Sequence, residues 1–256
     1  VIEKIKPLLA HLEAEKNIKI LYAVESGSRA WGFASTDSDW DVRFIYIHYP
    51  DWYLSIDDKK DSIEKMFPDD IDVAGWEIRK ALKLFRKSNP PLLEWLRSPL
   101  VYLENKSFTA NLRQLSNLYF NPKSCLHHYL HMAHRNYLEY LQKDTVRIKK
   151  YFYVLRPVLA CCWIEEHDIM APVEFQELVR TQVKDAAVKK TIDNLLERKV
   201  AGEELNEEPR IEILHDFVES KIRYYLDYVK KINVPDKTDT GKLNELFRKT
   251  LKNSWT

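Results

Sequence analysis

The chain has 256 residues, of which 45% are hydrophobic, 31% charged and 12% aromatic. That apolar content excludes a wholly disordered chain, and a total of 5 glycines excludes a collagen-like one. With 40 Lys and Arg against 39 Asp and Glu the net charge is +1, so only a local basic face could mark a nucleic-acid partner. The length admits one large domain or two modest ones, each able to bury a core. The cysteines are Cys125, Cys161 and Cys162, an odd number with two adjacent. They argue against a disulfide scaffold and a CxxC zinc site, and are expected as free buried thiols in a reducing cytoplasm. No apolar run approaches the roughly 18 residues of a membrane span. The opening Val1-Ile2-Glu3-Lys4-Ile5-Lys6 has no signal-peptide core.

In chain order, Ile2, Ile5, Leu8, Leu9 and Leu12 recur at helical spacing and predict a helix over 1–16. Residues 19–24 are a short apolar run rich in strand formers. A turn at 25–32 holds Gly27 and Gly32, and 41–47 reads as a second strand. After a polar, Asp-rich stretch at 50–61, strands are expected at 62–66 and at 71–73, the latter ending at Gly75. The period turns helical from Trp76 to Lys87 and stops at Ser88-Asn89-Pro90-Pro91. Beyond about 105 strand signals fade. Helices are expected at 107–119, 124–142, 145–166, 173–182, 185–199 and 209–232, broken at Asn121-Pro122, Met170-Ala171-Pro172 and 202–209. The fold class is therefore α+β, with an α/β domain over 1–105 followed by an all-helical domain over 106–256.

The chemistry concentrates in Gly27-Ser28-Arg29-Ala30-Trp31-Gly32-Phe33-Ala34-Ser35-Thr36-Asp37-Ser38-Asp39-Trp40-Asp41, between two predicted strands. Gly27 and Ser28 can open a helix whose free N–H groups face a phosphate, with the Ser28 hydroxyl as a further donor and Gly27 allowing close approach. Asp39 and Asp41 are two residues apart at a strand start, so their carboxylates share a face. Such a pair repels itself, and a divalent cation removes the repulsion while also holding substrate phosphate oxygens. This pattern points to metal-assisted phosphoryl or nucleotidyl transfer. A third carboxylate is expected on a neighbouring strand. Asp72, inside the apolar Ile71-Asp72-Val73, is the first candidate and Glu77 the reserve. Asp37 reads as a loop acid beside the pair, and Arg29 and Arg43 flank the site, either able to steady phosphate charge, with Arg43, on the same strand face as Asp41, alternatively its ion-pair partner.

This run resembles the signature of the DNA polymerase β-type nucleotidyltransferase superfamily: Gly-Ser, a second Gly, then Asp-x-Asp on the next strand. Its longer wording is more particular. Together with Lys-Ser-Asn-Pro-Pro-Leu-Leu-Glu-Trp-Leu-Arg-Ser-Pro at 87–99 and Lys149-Lys150-Tyr151-Phe152-Tyr153-Val154-Leu155-Arg156-Pro157, it resembles the RNA-repair-pathway nucleotidyltransferases often associated with RNA ligases. The resemblance implies a mixed sheet in the catalytic domain. It implies that Gly27 and Ser28, with Arg29, hold the triphosphate of an NTP such as ATP. Asp39, Asp41 and Asp72 would bind two Mg²⁺ ions, with Mn²⁺ as the alternative ion, and Asp72 would take a proton from the attacking hydroxyl. A nucleoside monophosphate would pass to an acceptor hydroxyl with release of pyrophosphate, an RNA end leading among acceptors. A protein acceptor, as in antitoxin-type nucleotidyltransferases, is the alternative, and a nucleotide- or RNA-binding protein without turnover is the other.

Lys149, Tyr153 and Arg156 share a helix face at i, i+4, i+7. The resemblance makes them nucleotide contacts, since helical second domains of the superfamily close over the nucleotide. Otherwise they belong to an ordinary amphipathic helix. His127, His128, His131 and His134 cluster in one predicted helix, but no carboxylate or Cys completes a metal set at suitable spacing, so a polar helix face is expected. Trp31, Trp40, Trp76 and Trp95 read as core, Cys161-Cys162 as packing, and 197–212 as a solvated loop and helix start.

Overall fold

The computed structural model describes residues 1–203, 205–233 and 239–255. Two compact units share the chain. The first contains 1–30, 39–119 and the described residues from 239 onward; the second contains Trp31–Ser38 and the described residues from 120 to 233. The chain thus passes between units more than once, whereas the expectation had one passage near 105. The difference has a physical source: the last two helices of the first unit bury apolar faces against sheet-side elements, and packing rather than sequence order defines a compact unit.

In the first unit, α1 (Ile2–Lys16) leads into β1 (Ile18–Glu25), the one-turn α2 (Gly27–Trp31) and β2 (Trp40–His48). Then come α3 (Pro50–Tyr53), β3 (Ser62–Phe67), β4 (Ile71–Glu77), α4 (Ile78–Arg86), α5 (Pro90–Trp95), β5 (Val101–Glu104) and α6 (Lys106–Tyr119). The five strands form one mixed sheet in the order β3-β4-β2-β1-β5. Only β2 and β4 run parallel; the β1–β2, β1–β5 and β3–β4 pairs are antiparallel. Ile5, Leu9 and Leu12 of α1 pack on Ile18, Ile20, Val42, Phe44 and Val73 to form a buried core. Gly75 lies opposite Phe44 in the parallel pair, and a Cβ there would overlap the Phe44 ring.

Helix α4 ends at Arg86, three residues short of the Pro90-Pro91 pair that opens α5. Proline is suited to a first helical turn, and Asn89 caps the new helix by accepting the Leu92 N–H at 3.2 Å. The α5 and β5 elements lay outside the sequence expectation.

The second unit holds α7 (Pro122–Tyr140), β6 (Thr145–Arg147), α8 (Lys150–His167), α9 (Phe175–Gln182), α10 (Ala186–Val200), β7 (Glu207–Pro209) and α11 (Glu212–Lys231). The helix expected over 145–166 starts at Lys150, because 145–147 pairs antiparallel with 207–209. Helix α8 is buried over most of its surface, which seats Cys161 and Cys162 in the core. Phe33 stacks on Phe152 (centroids 4.9 Å) and meets Phe175 edge-on (5.4 Å), which ties segment 31–38 into this unit. After the second unit, α12 (Gly241–Ser254) returns to the first, burying Leu243, Leu246 and Thr250. Among the described residues no helix is long and apolar enough to cross a membrane.

Candidate active site

The parallel pairing of β2 with β4 sets the site. Its register places Asp41 directly opposite Asp72. Neither carboxylate is left to face the other bare. Arg43, two residues on from Asp41 and so on the same sheet face, places Nη2 2.8 Å from Asp41 Oδ1 and 2.8 Å from Asp72 Oδ2. Its Nη1 donates to the Asp72 carbonyl at 2.9 Å and to the Val42 carbonyl at 3.2 Å. One guanidinium therefore bridges two acids, offsetting one of their two negative charges, and pins two strands. Burial pushes the Asp41 carboxyl above the usual range; Arg43 pulls it down, while Asp72 and Asp39 push it up.

Gly27 supplies the third wall. It sits at φ +58°, the left-handed region that glycine tolerates, and a Cβ there would overlap the Asp41 carboxylate. The turn can therefore lie directly against the acid. Helix α2 behind it has five residues, so its dipole is small. The half-buried Ser28 hydroxyl and local amides are what this turn offers an anion. Arg29 lays its guanidinium 3.8 Å from the centroid of the Trp40 ring and donates Nε–H to the Asp39 carbonyl at 3.2 Å. The side chain of Asp39 is exposed, as is Asp37.

Glu25 is a participant that sequence reasoning treated only as part of a turn. It is the last residue of β1 and fully buried. Its Oε1 accepts the Asp41 N–H at 2.9 Å, and its Oε2 accepts the Tyr102 hydroxyl at 2.5 Å. Ser98 Oγ donates to its carbonyl at 2.6 Å. Glu25 thus locks the backbone from which Asp41 projects. Burial pushes its carboxyl up, and the Tyr102 hydrogen bond opposes that rise. The signal was an acid ending an apolar strand directly before Gly-Ser. Glu77, the reserve third carboxylate, accepts the Tyr53 hydroxyl at 2.7 Å and caps α4 by accepting the Arg79 N–H at 2.9 Å. It stands five residues beyond Asp72 along β4.

As ligands, Asp39, Asp41 and Asp72 offer the hard oxygens that Mg²⁺ takes. Among the described residues, however, no group of three or more His, Cys, Asp or Glu stands as a metal cluster. Between Asp41 and Asp72 the counter-charge is the Arg43 guanidinium. The donor set fits the ion in kind, and the ion's arrival at both acids requires Arg43 to give way.

Within the second unit Lys149 and Tyr153 are exposed, whereas Arg156 is buried. Its guanidinium carbon lies 4.6 Å from the Trp31 ring centroid, and Nη2 donates to the Val173 carbonyl at 3.3 Å. On α7, His127, His128 and His131 are exposed and His134 half-buried. Burial pushes the Cys161 and Cys162 thiols up, away from reactive thiolate.

A sequence profile described as the RNA repair pathway DNA polymerase beta family matches residues 1–249. An uncharacterized protein of Bacillus subtilis (strain 168), YcgL, is 48% identical over 247 residues, spanning 96% of this chain and 95% of its own. A nucleotidyltransferase-like protein from Exiguobacterium sibiricum 255-15 aligns in structure over 98% of this chain and 90% of its own. It does so at 10% identity and a TM-score of 0.36, a level at which no residue is carried over.

Proposed function

The chain belongs to the RNA repair pathway DNA polymerase beta family, and from that premise we propose a divalent-metal-dependent nucleotidyltransferase. It moves a nucleoside monophosphate from an NTP to an acceptor hydroxyl, with an RNA end as the leading acceptor. The observation that carries this reading is the in-register opposition of Asp41 and Asp72 with the Gly27 turn closed against Asp41.

Asp39, Asp41 and Asp72 would hold the metal. When bound, the metal supplies charge neutralisation at the triphosphate and activation of the attacking hydroxyl. Gly27 and Ser28 bind the triphosphate, the glycine by close backbone approach and the serine through its hydroxyl. Arg29, set on Trp40, steadies phosphate charge beside them. The acceptor oxygen forms a bond to the α-phosphorus as the bond to the β-phosphate bridging oxygen breaks, and pyrophosphate leaves with that electron pair. Asp72 accepts the hydroxyl proton. Within the second unit, Lys149 and Tyr153 are exposed and open to a nucleotide, while Arg156 is buried against Trp31. Most of the rate enhancement comes from positioning and fixed charge.

The test is turnover of each α-phosphate-labelled NTP with Mg²⁺ and a mixed RNA pool, against Asp39→Asn plus Asp41→Asn. Label on RNA with pyrophosphate release, lost in the double variant, supports the reading and names the nucleotide. Label on protein replaces the acceptor with a protein side chain. No label, no pyrophosphate and no Mg²⁺-dependent NTP binding overturns it.

A further inference from the structure

The face of α4 turned toward α12 carries three cations, the first of which, Arg79, also lies over the Trp52 and Tyr53 rings at 5.3 and 4.9 Å from their centroids. Arg79, Lys83 and Arg86 lie at i, i+4 and i+7 and so line one side of the helix. They rim a cavity of about 230 Å³ whose other walls are Leu82, Leu243, Phe247, Thr240 and Asn244. Among the described residues no carboxylate lines it. The adjoining polar cleft, which shares Arg79 and Lys83, is different in kind: Asp57, Asp58, Asp61 and Glu77 offset its cations. Two nearby acids are already engaged. Asp61 pairs with Lys80 at 2.8 Å, and Asp239 accepts the Gly241 N–H at 2.9 Å. Arg79 reaches Glu77 at 3.7 Å, while among the described residues neither Lys83 nor Arg86 makes an ion pair.

Like charges at these spacings repel, each pair costing a few tenths of a kcal/mol. The helix dipole favours Lys83 and Arg86 in the last turn of α4, yet it does not select which side of the helix they take. An apolar floor beneath cations strengthens their attraction for an anion by lowering the local dielectric. The cavity is smaller than the ~300 Å³ of a drug-sized site, so it accommodates one ring rather than a whole ligand. The cations extend roughly 10 Å along the helix, at 1.5 Å per residue. One phosphate cannot span that, whereas consecutive phosphates of an extended strand can.

We propose that this face binds single-stranded nucleic acid, with successive phosphates on Arg79, Lys83 and Arg86 and one base in the cavity against Phe247. Combining a cationic track with an aromatic contact is the general solution for single strands. The site is distinct from the carboxylates: along β4, Asp72 and the start of α4 are separated by about 16–20 Å. The proposal rests on the nucleotidyltransferase reading only in making the bound strand its acceptor.

The experiment is fluorescence anisotropy of the full chain with a labelled 10-nucleotide single-stranded RNA in EDTA, across a salt series. Omitting divalent ions separates this binding from the carboxylate site. Lys83→Glu plus Arg86→Glu is expected to weaken binding at least tenfold. The milder Lys83→Gln plus Arg86→Gln should lower the salt slope by about 1.4, the value for two lost phosphate contacts. Phe247→Ala should weaken binding with the slope unchanged. Equal binding by wild type and both charge variants, or no binding by wild type, overturns the proposal. So does AMP binding as tightly as the strand, or displacement of the strand by a glutamate peptide of equal charge. Strand binding as stated without NTP turnover would overturn the reading above and leave this one standing; turnover without charge-dependent binding would do the reverse.

Discussion

Asp41 and Asp72 stand opposite each other on adjacent parallel strands, and a single nitrogen of Arg43 lies 2.8 Å from an oxygen of each. The chain itself thus offsets one of the pair's two negative charges. Any divalent ion that enlists both acids competes with a resident cation, and this competition has measurable consequences.

Arg43→Gln leaves two acids facing each other without a counter-charge. Removing one partner of a fully buried pair costs about 3–5 kcal/mol. Side-chain exposures of 18% for Arg43, 27% for Asp41 and 35% for Asp72 discount this to about 1–2 kcal/mol. Thermal denaturation should show that loss in EDTA. Millimolar Mg²⁺ should raise the Tm of Arg43→Gln more than that of wild type, since the ion would replace the missing charge. Equal Mg²⁺ responses would show that Arg43 and the ion do not compete.

Gly27→Ala meets two obstacles, a positive φ and the Asp41 carboxylate. The strain should cost about 1–3 kcal/mol. Displacement of Asp41 should also abolish Mg²⁺-dependent NTP binding by titration. A variant that retains both stability and binding would show that the turn does not need to touch the acid.

Glu25 bears on pH dependence. Its folded carboxyl is raised above its unfolded value, so between those values the folded state holds the extra proton. Stability from this group is therefore greatest at low pH and falls as pH rises from the ordinary carboxylate value of about 4.3 through the raised one. Glu25→Gln keeps an acceptor for the Asp41 N–H and removes the buried charge. Chemical denaturation between pH 4 and 7 should show a shallower decline for Glu25→Gln than for wild type. An unchanged slope would mean that Glu25 does not titrate in that window.

Phe33 belongs to a short segment lying between Ser28 and Asp39 in sequence, yet its ring is buried between Phe152 and Phe175. Phe33→Ala should cost about 3–5 kcal/mol, as large aromatic deletions in a core do. If the loss is seen by calorimetry but turnover persists, segment 31–38 serves stability alone.

The sequence alone determined whatever depends on contiguous residues. Helix α1, strands β1, β2 and β4, and the helical periodicity of α7 and α9–α11 follow from apolar spacing within each segment. So do the Gly27-Ser28 turn and the same-face placement of Asp41 and Arg43, because strand alternation is local. What only tertiary structure decided depends on partners distant in sequence. The 145–147 segment became a strand because 207–209 lies beside it, and β5 is a strand through its pairing with β1. The largely polar α12 joins the sheet-bearing unit by burying Leu243, Leu246 and Thr250 and by setting Phe247 edge-on to Tyr53. The Asp41–Arg43–Asp72 bridge needed the parallel register of strands some 30 residues apart, and Glu25 became a support for Asp41 only when β1 and β5 enclosed it. A residue's type and spacing limit the chemistry it can perform, whereas burial and counter-charge are set by neighbours that the local chain does not contain.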